Sequence, residues 1–164
     1  MTLMLHLIIG NTGAGKTTYA QQLKAENKAF LFSIDKWNKT LFLSDKKEED
    51  GVEWILERID RAEEMMMDTI QQLETMGIDS ILDVGLSKKE HRDKWRNFAQ
   101  AHNFETSIHF LNMDQQTRRK RVTQRNQEKG ASYEFEVSDE DFNFMESWFE
   151  TPTEQELINA TIIT

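Results

Sequence analysis

A glycine-rich stretch near the start of the chain has the residue types and spacing of a phosphate-binding loop, with the pattern G-x-x-x-x-G-K-S/T. It consists of Gly10, Asn11, Thr12, Gly13, Ala14, Gly15, Lys16, Thr17 and Thr18. The glycines allow the backbone to wrap so that successive N–H groups point at an anion. In such a loop Lys16 would reach the β- and γ-phosphates of a nucleotide, and the hydroxyl of Thr17 would hold Mg²⁺.

The residues on both sides of this loop supply the structural context that the motif requires. An apolar run over residues 3–9 precedes it and is typical of a buried parallel strand. From Lys16 to Glu26 the apolar residues share one face, which predicts a helix. A glycine-rich turn without a ligand is the structural alternative, but the order strand, loop, helix favours nucleotide binding.

Two aspartates stand at the ends of further apolar runs. Asp35 closes the second predicted strand, residues 29–34, and Asp83 lies at the end of the third, residues 78–84. Ligands of parallel sheets bind beyond the carboxyl ends of the strands, so both carboxylates should lie near the loop. Asp35 could accept the proton of an attacking hydroxyl or bind Mg²⁺ through water, and Asp83 would complete the Mg²⁺ site with Thr17. The alternative is that each aspartate only caps a secondary-structure element.

A basic helix predicted over residues 115–129 is the natural source of positive charge. Arg118, Arg121 and Arg125 recur at intervals of three and four, so they share a face. Arginine can stabilise charge that develops on a transferred phosphoryl group, and we assign Arg121 and Arg125 to this catalytic role. The polar residues that follow indicate a mobile lid over about 115–136. The alternative is a solvated charged face.

The rest of the chain alternates predicted strands with predicted helices. Further strands are expected at 105–111 and 157–163, and a long helix at 52–76. A capping box is expected at Ser87 with Glu90, and an N-terminal cap at Ser138 with Asp141. This alternation predicts a single domain, residues 1–164, with a three-layer α/β fold and a mostly parallel five-stranded sheet.

Composition narrows the classes of function. The 164 residues carry a formal net charge of −9, which would repel nucleic acid unless a local basic patch compensates. The chain has no cysteine, which excludes disulfides and zinc–thiolate sites, and its four histidines lack metal-ligand spacing. We find no secretory signal and no apolar stretch long enough to span a bilayer, so a soluble cytoplasmic protein is expected.

The motifs in their order resemble the small P-loop kinases catalogued as AAA-type ATP-binding proteins. This group is related to polynucleotide 5′-hydroxyl kinases, zeta-toxin-like kinases and chloramphenicol phosphotransferases. The resemblance rests on the glycine-rich loop, on Ser33-Ile-Asp35, on Ile81-Leu-Asp83 followed by residues 86–92, on Arg121-Val-Thr-Gln-Arg125-Asn126, and on residues 149–154. It implies a sheet of strand order 2-3-1-4-5, ATP with Mg²⁺, Asp35 as the base for an acceptor hydroxyl, and Arg125 as a lid arginine on the phosphates.

One departure from that group bears on the substrate. Its polynucleotide kinases usually carry an arginine three residues after the aspartate, where this chain has Asn38. Together with the acidic charge, this favours a hydroxyl-bearing small molecule as the acceptor. A polynucleotide 5′-hydroxyl kinase and a nucleotide-dependent regulatory ATPase are the alternatives, and the acceptor and oligomeric state stay open.

Overall fold

Strands and helices alternate along the chain in the computed structural model, which describes residues 2–131 and 133–164. The strands are β1 (Met4–Gly10), β2 (Ala29–Ser33), β3 (Asp79–Asp83), β4 (Glu105–Leu111) and β5 (Thr161–Ile163). The helices are α1 (Lys16–Glu26), α2 (Ile34–Leu41), α3 (Val52–Thr75), α4 (Lys89–Ala101), α5 (Gln115–Glu128) and α6 (Asp139–Trp148). No helix among the described residues is long and apolar enough to cross a membrane.

The five strands form one sheet of order β2-β3-β1-β4-β5, which confirms the predicted order. Every described pairing is parallel. The register aligns Gly10 with Leu111 and Ser33 with Asp83, so these strands end at nearly the same level. The glycine-rich loop and the end of β3 consequently share one edge of the sheet.

Helices cover both faces of this sheet, which confirms the three-layer α/β architecture. The central strand β1 is buried on both faces, as expected of a parallel strand between crossover helices. Leu5, Leu7 and Ile9 pack on one face against α3 and α4, whereas Ile8 packs on the other against α1. A separate small cluster joins α5 to α6 through Val122, Val137 and Phe142.

The start of α4 differs from its predicted capping box. The N-cap is Lys88, without a side-chain cap, so the box predicted for Ser87 and Glu90 is wrong. Instead the Glu150 carboxylate accepts a hydrogen bond from the Lys89 N–H at 2.8 Å. A side chain from a distant segment therefore accepts a hydrogen bond from a free N–H group at the start of α4, in place of the predicted local cap.

Two strand ends also differ from the prediction. β2 stops at Ser33, and Asp35 lies in the first turn of α2 because this helix begins directly after the strand. β5 is confined to Thr161–Ile163, since turns occupy residues 154–159. The predicted start at Ser138 is confirmed: Ser138 and Asp141 form a reciprocal capping box at α6.

Candidate functional site

The glycine-rich loop connects β1 to α1 and packs tightly against α5. Gly13 has φ +82°, and a Cβ atom there would lie 2.5 Å from the carbonyl oxygen of Arg118. Gly15 has φ +94° and immediately precedes α1. Both positions thus need the conformational freedom of glycine. Lys16 is the first residue of α1, so the loop places the positive end of that helix dipole at the candidate site.

The threonine of the motif joins the loop to the end of β3, and the lysine contacts the backbone of the loop. The Thr17 hydroxyl donates to Oδ2 of Asp83 at 2.8 Å, and Nζ of Lys16 donates to the carbonyl oxygen of Asn11 at 3.3 Å. A hydroxyl and a carboxylate are oxygen ligands of the kind that Mg²⁺ prefers, so the donor chemistry fits this ion. Among the described residues, no group of three or more His, Cys, Asp or Glu side chains is placed to bind a metal. Mg²⁺ bound here would therefore need water or phosphate oxygens as additional ligands.

Asp35 and Asp83 influence each other across the site. Asp83 is buried, whereas Asp35 reaches solvent within a region crowded by protein atoms. Desolvation raises the pKa of both carboxyls above the ordinary range, and the charge of Asp83 raises the pKa of Asp35 further. The cation of Lys16 opposes both shifts, while desolvation lowers the pKa of Lys16 itself. The structure thus brings Lys16, Asp35 and Asp83 together.

Arg118, Arg121 and Arg125, the arginines predicted to share a face of α5, occupy different environments. Arg121 donates to the carbonyl oxygen of Ala14 at 3.1 Å, so it touches the loop. Nε of Arg125 is buried and has no hydrogen-bond partner among the described residues, although its charge acts on Lys16 and Asp35. Arg118 is buried and donates to backbone oxygens and to a carboxylate of α6. Arg118 therefore supports the loop.

The segment after α5 returns to α5 and also reaches α2. The side chain of Asn126 donates to the carbonyl oxygen of Val137 at 2.7 Å and accepts from the N–H of Val137 at 3.2 Å. Lys39 of α2 pairs with Glu134 at 3.3 Å. This contact links the predicted lid to the helix that carries Asp35. Ser132, which belongs to the predicted lid, lies outside the described residues.

Sequence reasoning did not identify Glu146 as part of the site. This residue of α6 accepts a hydrogen bond from Nδ2 of Asn11 at 2.8 Å and pairs with Arg118. Asn11 and Glu146 are separated by 135 positions, and neither belongs to a motif that predicts their contact. The four histidines lack metal-ligand spacing in the sequence, and in the fold ring nitrogens of His6 and His109 lie 3.1 Å apart on the sheet.

Comparison with known proteins places this geometry in a recognised fold. Kti12 of Chaetomium thermophilum in complex with ADP-AlF3 is similar at 15% identity, with a TM-score of 0.69 over 98% of this chain and 88% of that chain. The Mycobacterium tuberculosis APS kinase CysC in complex with AMPPNP and APS is 14% identical, with a TM-score of 0.61 over 93% and 85%. A chain of the Pnkp1/Rnl/Hen1 RNA repair complex is 15% identical, with a TM-score of 0.63 over 91% and 47%.

At these identities the similarities show the fold, which is that of the P-loop kinases. A search among curated proteins finds no match to this chain. A family profile described as an AAA domain, AAA_33, matches residues 5–152, which include the loop, both aspartates and all of α5. The chain therefore belongs to the AAA_33 family of AAA domains.

Proposed function

We propose that this protein is an ATP-dependent phosphotransferase that moves the γ-phosphoryl group to a hydroxyl of a small-molecule acceptor. The observation that carries the proposal is the convergence of Lys16, Asp35 and Asp83 at the carboxyl edge of the sheet, beside the phosphate-binding loop. Phosphoryl transfer depends on positioned donors and charges, which are the features that this edge supplies. The nucleotides bound to Kti12 and to the APS kinase support the same use of the loop here.

Each element of the site has a role in this proposal. The backbone N–H groups of residues 10–18 and the Lys16 ammonium would bind the β- and γ-phosphates. Thr17 and Asp83 would hold Mg²⁺, with Asp35 acting on it through water, and the ion would neutralise charge on the phosphate oxygens. Arg121 and Arg125 would contact the transferred group from α5.

Asp35 would act as the general base of the transfer. The acceptor oxygen attacks the γ-phosphorus, the bond to the oxygen of the ADP leaving group breaks, and the hydroxyl proton passes to the Asp35 carboxylate. A raised pKa suits this role, because it brings the proton affinity of the carboxyl closer to that needed at neutral pH. The predicted lid, α5 with residues 129–131 and 133–136, would exclude water through its contact with α2.

Phosphoryl transfer from γ-labelled ATP into a panel of sugars, nucleosides and other hydroxyl metabolites tests this proposal. Asp35→Asn should lower kcat about 10²- to 10⁴-fold, as removal of a general base does, while ADP affinity persists. Asp45→Asn, an exposed aspartate in the turn after α2, is the matched control. Transfer by Asp35→Asn at the wild-type rate would remove Asp35 from the mechanism.

Nucleotide binding has its own test. Lys16→Ala should weaken binding of ATP with Mg²⁺ about 100-fold or more, because the only cation inside the loop motif is removed. Lys24→Ala, an exposed lysine later in α1, should bind as the wild type does. Equal affinity in Lys16→Ala and wild type would contradict the assignment of the loop.

A polynucleotide 5′-hydroxyl kinase is the second candidate, supported by the similarity to the RNA repair complex. The environment of α5 argues against it. Arg118 and Arg119 pair with Glu146 and Asp139, so these two cations are engaged within the protein. Salt-sensitive phosphorylation of a 5′-hydroxyl oligonucleotide, with no transfer to small molecules, would favour this candidate. ATP hydrolysis with no acceptor found would favour a regulatory ATPase instead.

A further inference from the structure

A carboxylate on α6 holds the phosphate-binding loop from outside the loop motif. Nδ2 of Asn11 donates to Oε1 of Glu146 at 2.8 Å, and Arg118 pairs with the same oxygen. The guanidinium of Arg118 also donates to the carbonyl oxygen of Thr12 at 3.2 Å. Asn11 and Arg118 are only 8% and 6% exposed. Glu146 thus holds Asn11 directly, and its partner Arg118 holds the neighbouring Thr12.

Asn11 connects this carboxylate to the lysine of the motif. The Asn11 side-chain oxygen accepts from the N–H of Thr12 at 2.7 Å. Its carbonyl oxygen accepts from the N–H of Ala14 at 3.0 Å and from Nζ of Lys16 at 3.3 Å. Asn11 therefore contacts the Thr12 amide through its side chain, and the Ala14 amide and the Lys16 ammonium through its backbone carbonyl. Asn11 occupies a variable position of the motif, so the motif alone does not demand this arrangement.

The charge of Glu146 requires a partner at this place. A carboxylate beside a loop that binds polyphosphate would repel the ligand if its charge were not neutralised. Arg118, which is almost fully buried, supplies the opposite charge. A pair of this kind is costly to break because the remaining charge is left without a partner. Glu146, Arg118 and Asn11 should therefore act as a unit.

We propose that Glu146 is a positioning residue for nucleotide binding, acting through Asn11 and Arg118 to keep the loop in its phosphate-binding geometry before the ligand arrives. The proposal rests on the nucleotide binding proposed above. A loop that is ordered before the nucleotide binds loses less conformational freedom on binding. Freeing the loop from Glu146 should therefore lower its affinity for the nucleotide. Nucleotide affinity would then depend on α6, the helix that follows the lid segment.

Calorimetry with ADP and Mg²⁺ tests this role with Glu146→Gln, Asn11→Ala and the double variant. Glutamine keeps the size of the side chain but removes the charge that Arg118 needs. We expect the Kd of Glu146→Gln to rise about 10-fold. The double variant should bind no more weakly than Asn11→Ala alone, because both changes break one unit. Glu140→Gln, an exposed carboxylate on the same helix, should bind as the wild type does.

Hydrogen exchange of the nucleotide-free protein separates this proposal from the proposed function. The amides of residues 11–16 should exchange faster in Glu146→Gln than in Glu140→Gln, even if the wild type has no measurable kinase activity. Failure of the wild type to bind ADP would defeat the proposed function, while the exchange rates would still show whether Glu146 orders the loop. Wild-type exchange and affinity in Glu146→Gln, or additive effects in the double variant, would overturn the proposal.

Discussion

Two clusters of charged side chains in this protein are built in opposite ways. The first, the C-terminal clamp, consists of the side chains of Arg92 and Glu156 together with the backbone carbonyl of Glu150. Arg92 donates to both carboxylate oxygens of Glu156, at 2.7 and 3.3 Å, and to the carbonyl oxygens of Leu86 and Glu150. Burial alone would raise the pKa of Glu156, but hydrogen bonds from Arg92 and Thr153 outweigh it and lower that pKa to about 2.

The second cluster, the site cluster, consists of Lys16, Asp35, Asp83 and Arg125. Here desolvation outweighs pairing, so the pKa values of both carboxyls are raised, and Nε of Arg125 has no partner among the described residues. The clamp is satisfied within the protein and stabilises the fold. The site cluster holds charges that a nucleotide and a metal ion would satisfy, which is typical of a functional site that lowers stability.

Breaking the clamp should have the largest effect on stability. Arg92→Met should lower the free energy of unfolding by about 3–5 kcal/mol, because it leaves the buried Glu156 carboxylate without its counter-charge. Urea unfolding measures this change, and Arg96→Met, a partly exposed arginine of the same helix, is the control. Equal losses in the two variants would mean that the clamp contributes no more than a surface ion pair.

The clamp also shows where prediction from sequence reaches its limit. The start of α6 could be predicted because Ser138 is a favoured N-cap residue and Asp141 lies three residues after it, and the structure shows a reciprocal capping box there. The same reasoning fails at α4, where the N–H of Lys89 donates to the carboxylate of Glu150, 61 positions further along the chain. The three-layer α/β fold could be predicted because strands that alternate with helices form a mostly parallel sheet. The strand order instead followed from the resemblance to the small P-loop kinases, and the structure confirms it.

Some features of the candidate site can be predicted from short sequence motifs, whereas others depend on contacts between distant segments. The loop motif and the aspartate at the end of β3 could be found because each belongs to a short pattern with a fixed place in the fold. The contact of Glu146 with Asn11 could not, since it depends on how α6 packs after the lid segment. The different environments of Arg118 and Arg125 also depend on tertiary packing, because both residues share one face of α5.

The buried His109 and the partly buried His6 form a pair of histidines that makes stability depend on pH. The ring of His109 lies 2.7 Å from the Tyr19 hydroxyl and 3.1 Å from the ring of His6. Burial, with a smaller contribution from the charge of His6, lowers the pKa of His109 from 6.5 to about 4. The unfolded state therefore binds more protons than the folded state between these values, and stability falls as the pH falls through this window.

We expect wild-type unfolding free energy to drop by about 2 kcal/mol from pH 7 to pH 5 through this group. His109→Gln should lose most of that dependence, whereas His102→Gln, on the exposed end of α4, should keep it. Urea titrations at the two pH values measure the difference. The same pH slope in His109→Gln and wild type would show that the neutral ring of His109 is not required by the fold.

Asp35→Asn should change the free energy of unfolding by a smaller amount than breaking the clamp does, and in the opposite direction. Since the folded state raises the Asp35 pKa, ionised Asp35 lowers stability at pH 7, and this cost disappears as the pH falls towards the unfolded value of 3.8. The amide should therefore stabilise the nucleotide-free protein by about 0.5–1 kcal/mol, a figure reduced because the side chain reaches solvent. Asp45→Asn should show no gain, and a loss in Asp35→Asn would place this residue with the clamp rather than the site cluster.

The ion pair between Lys39 and Glu134 should give the smallest change in stability. Its side chains are 49% and 27% exposed, so Glu134→Gln should change the unfolding free energy by less than about 0.5 kcal/mol. The same change should accelerate hydrogen exchange at residues 133–137, because the pair holds this segment against α2. Glu136→Gln, which changes an exposed carboxylate of the same segment, should leave hydrogen exchange there unchanged. A lid that must open for substrate needs a weak contact of this kind, so slow exchange in Glu134→Gln would show that the packing around Val137 holds the segment instead.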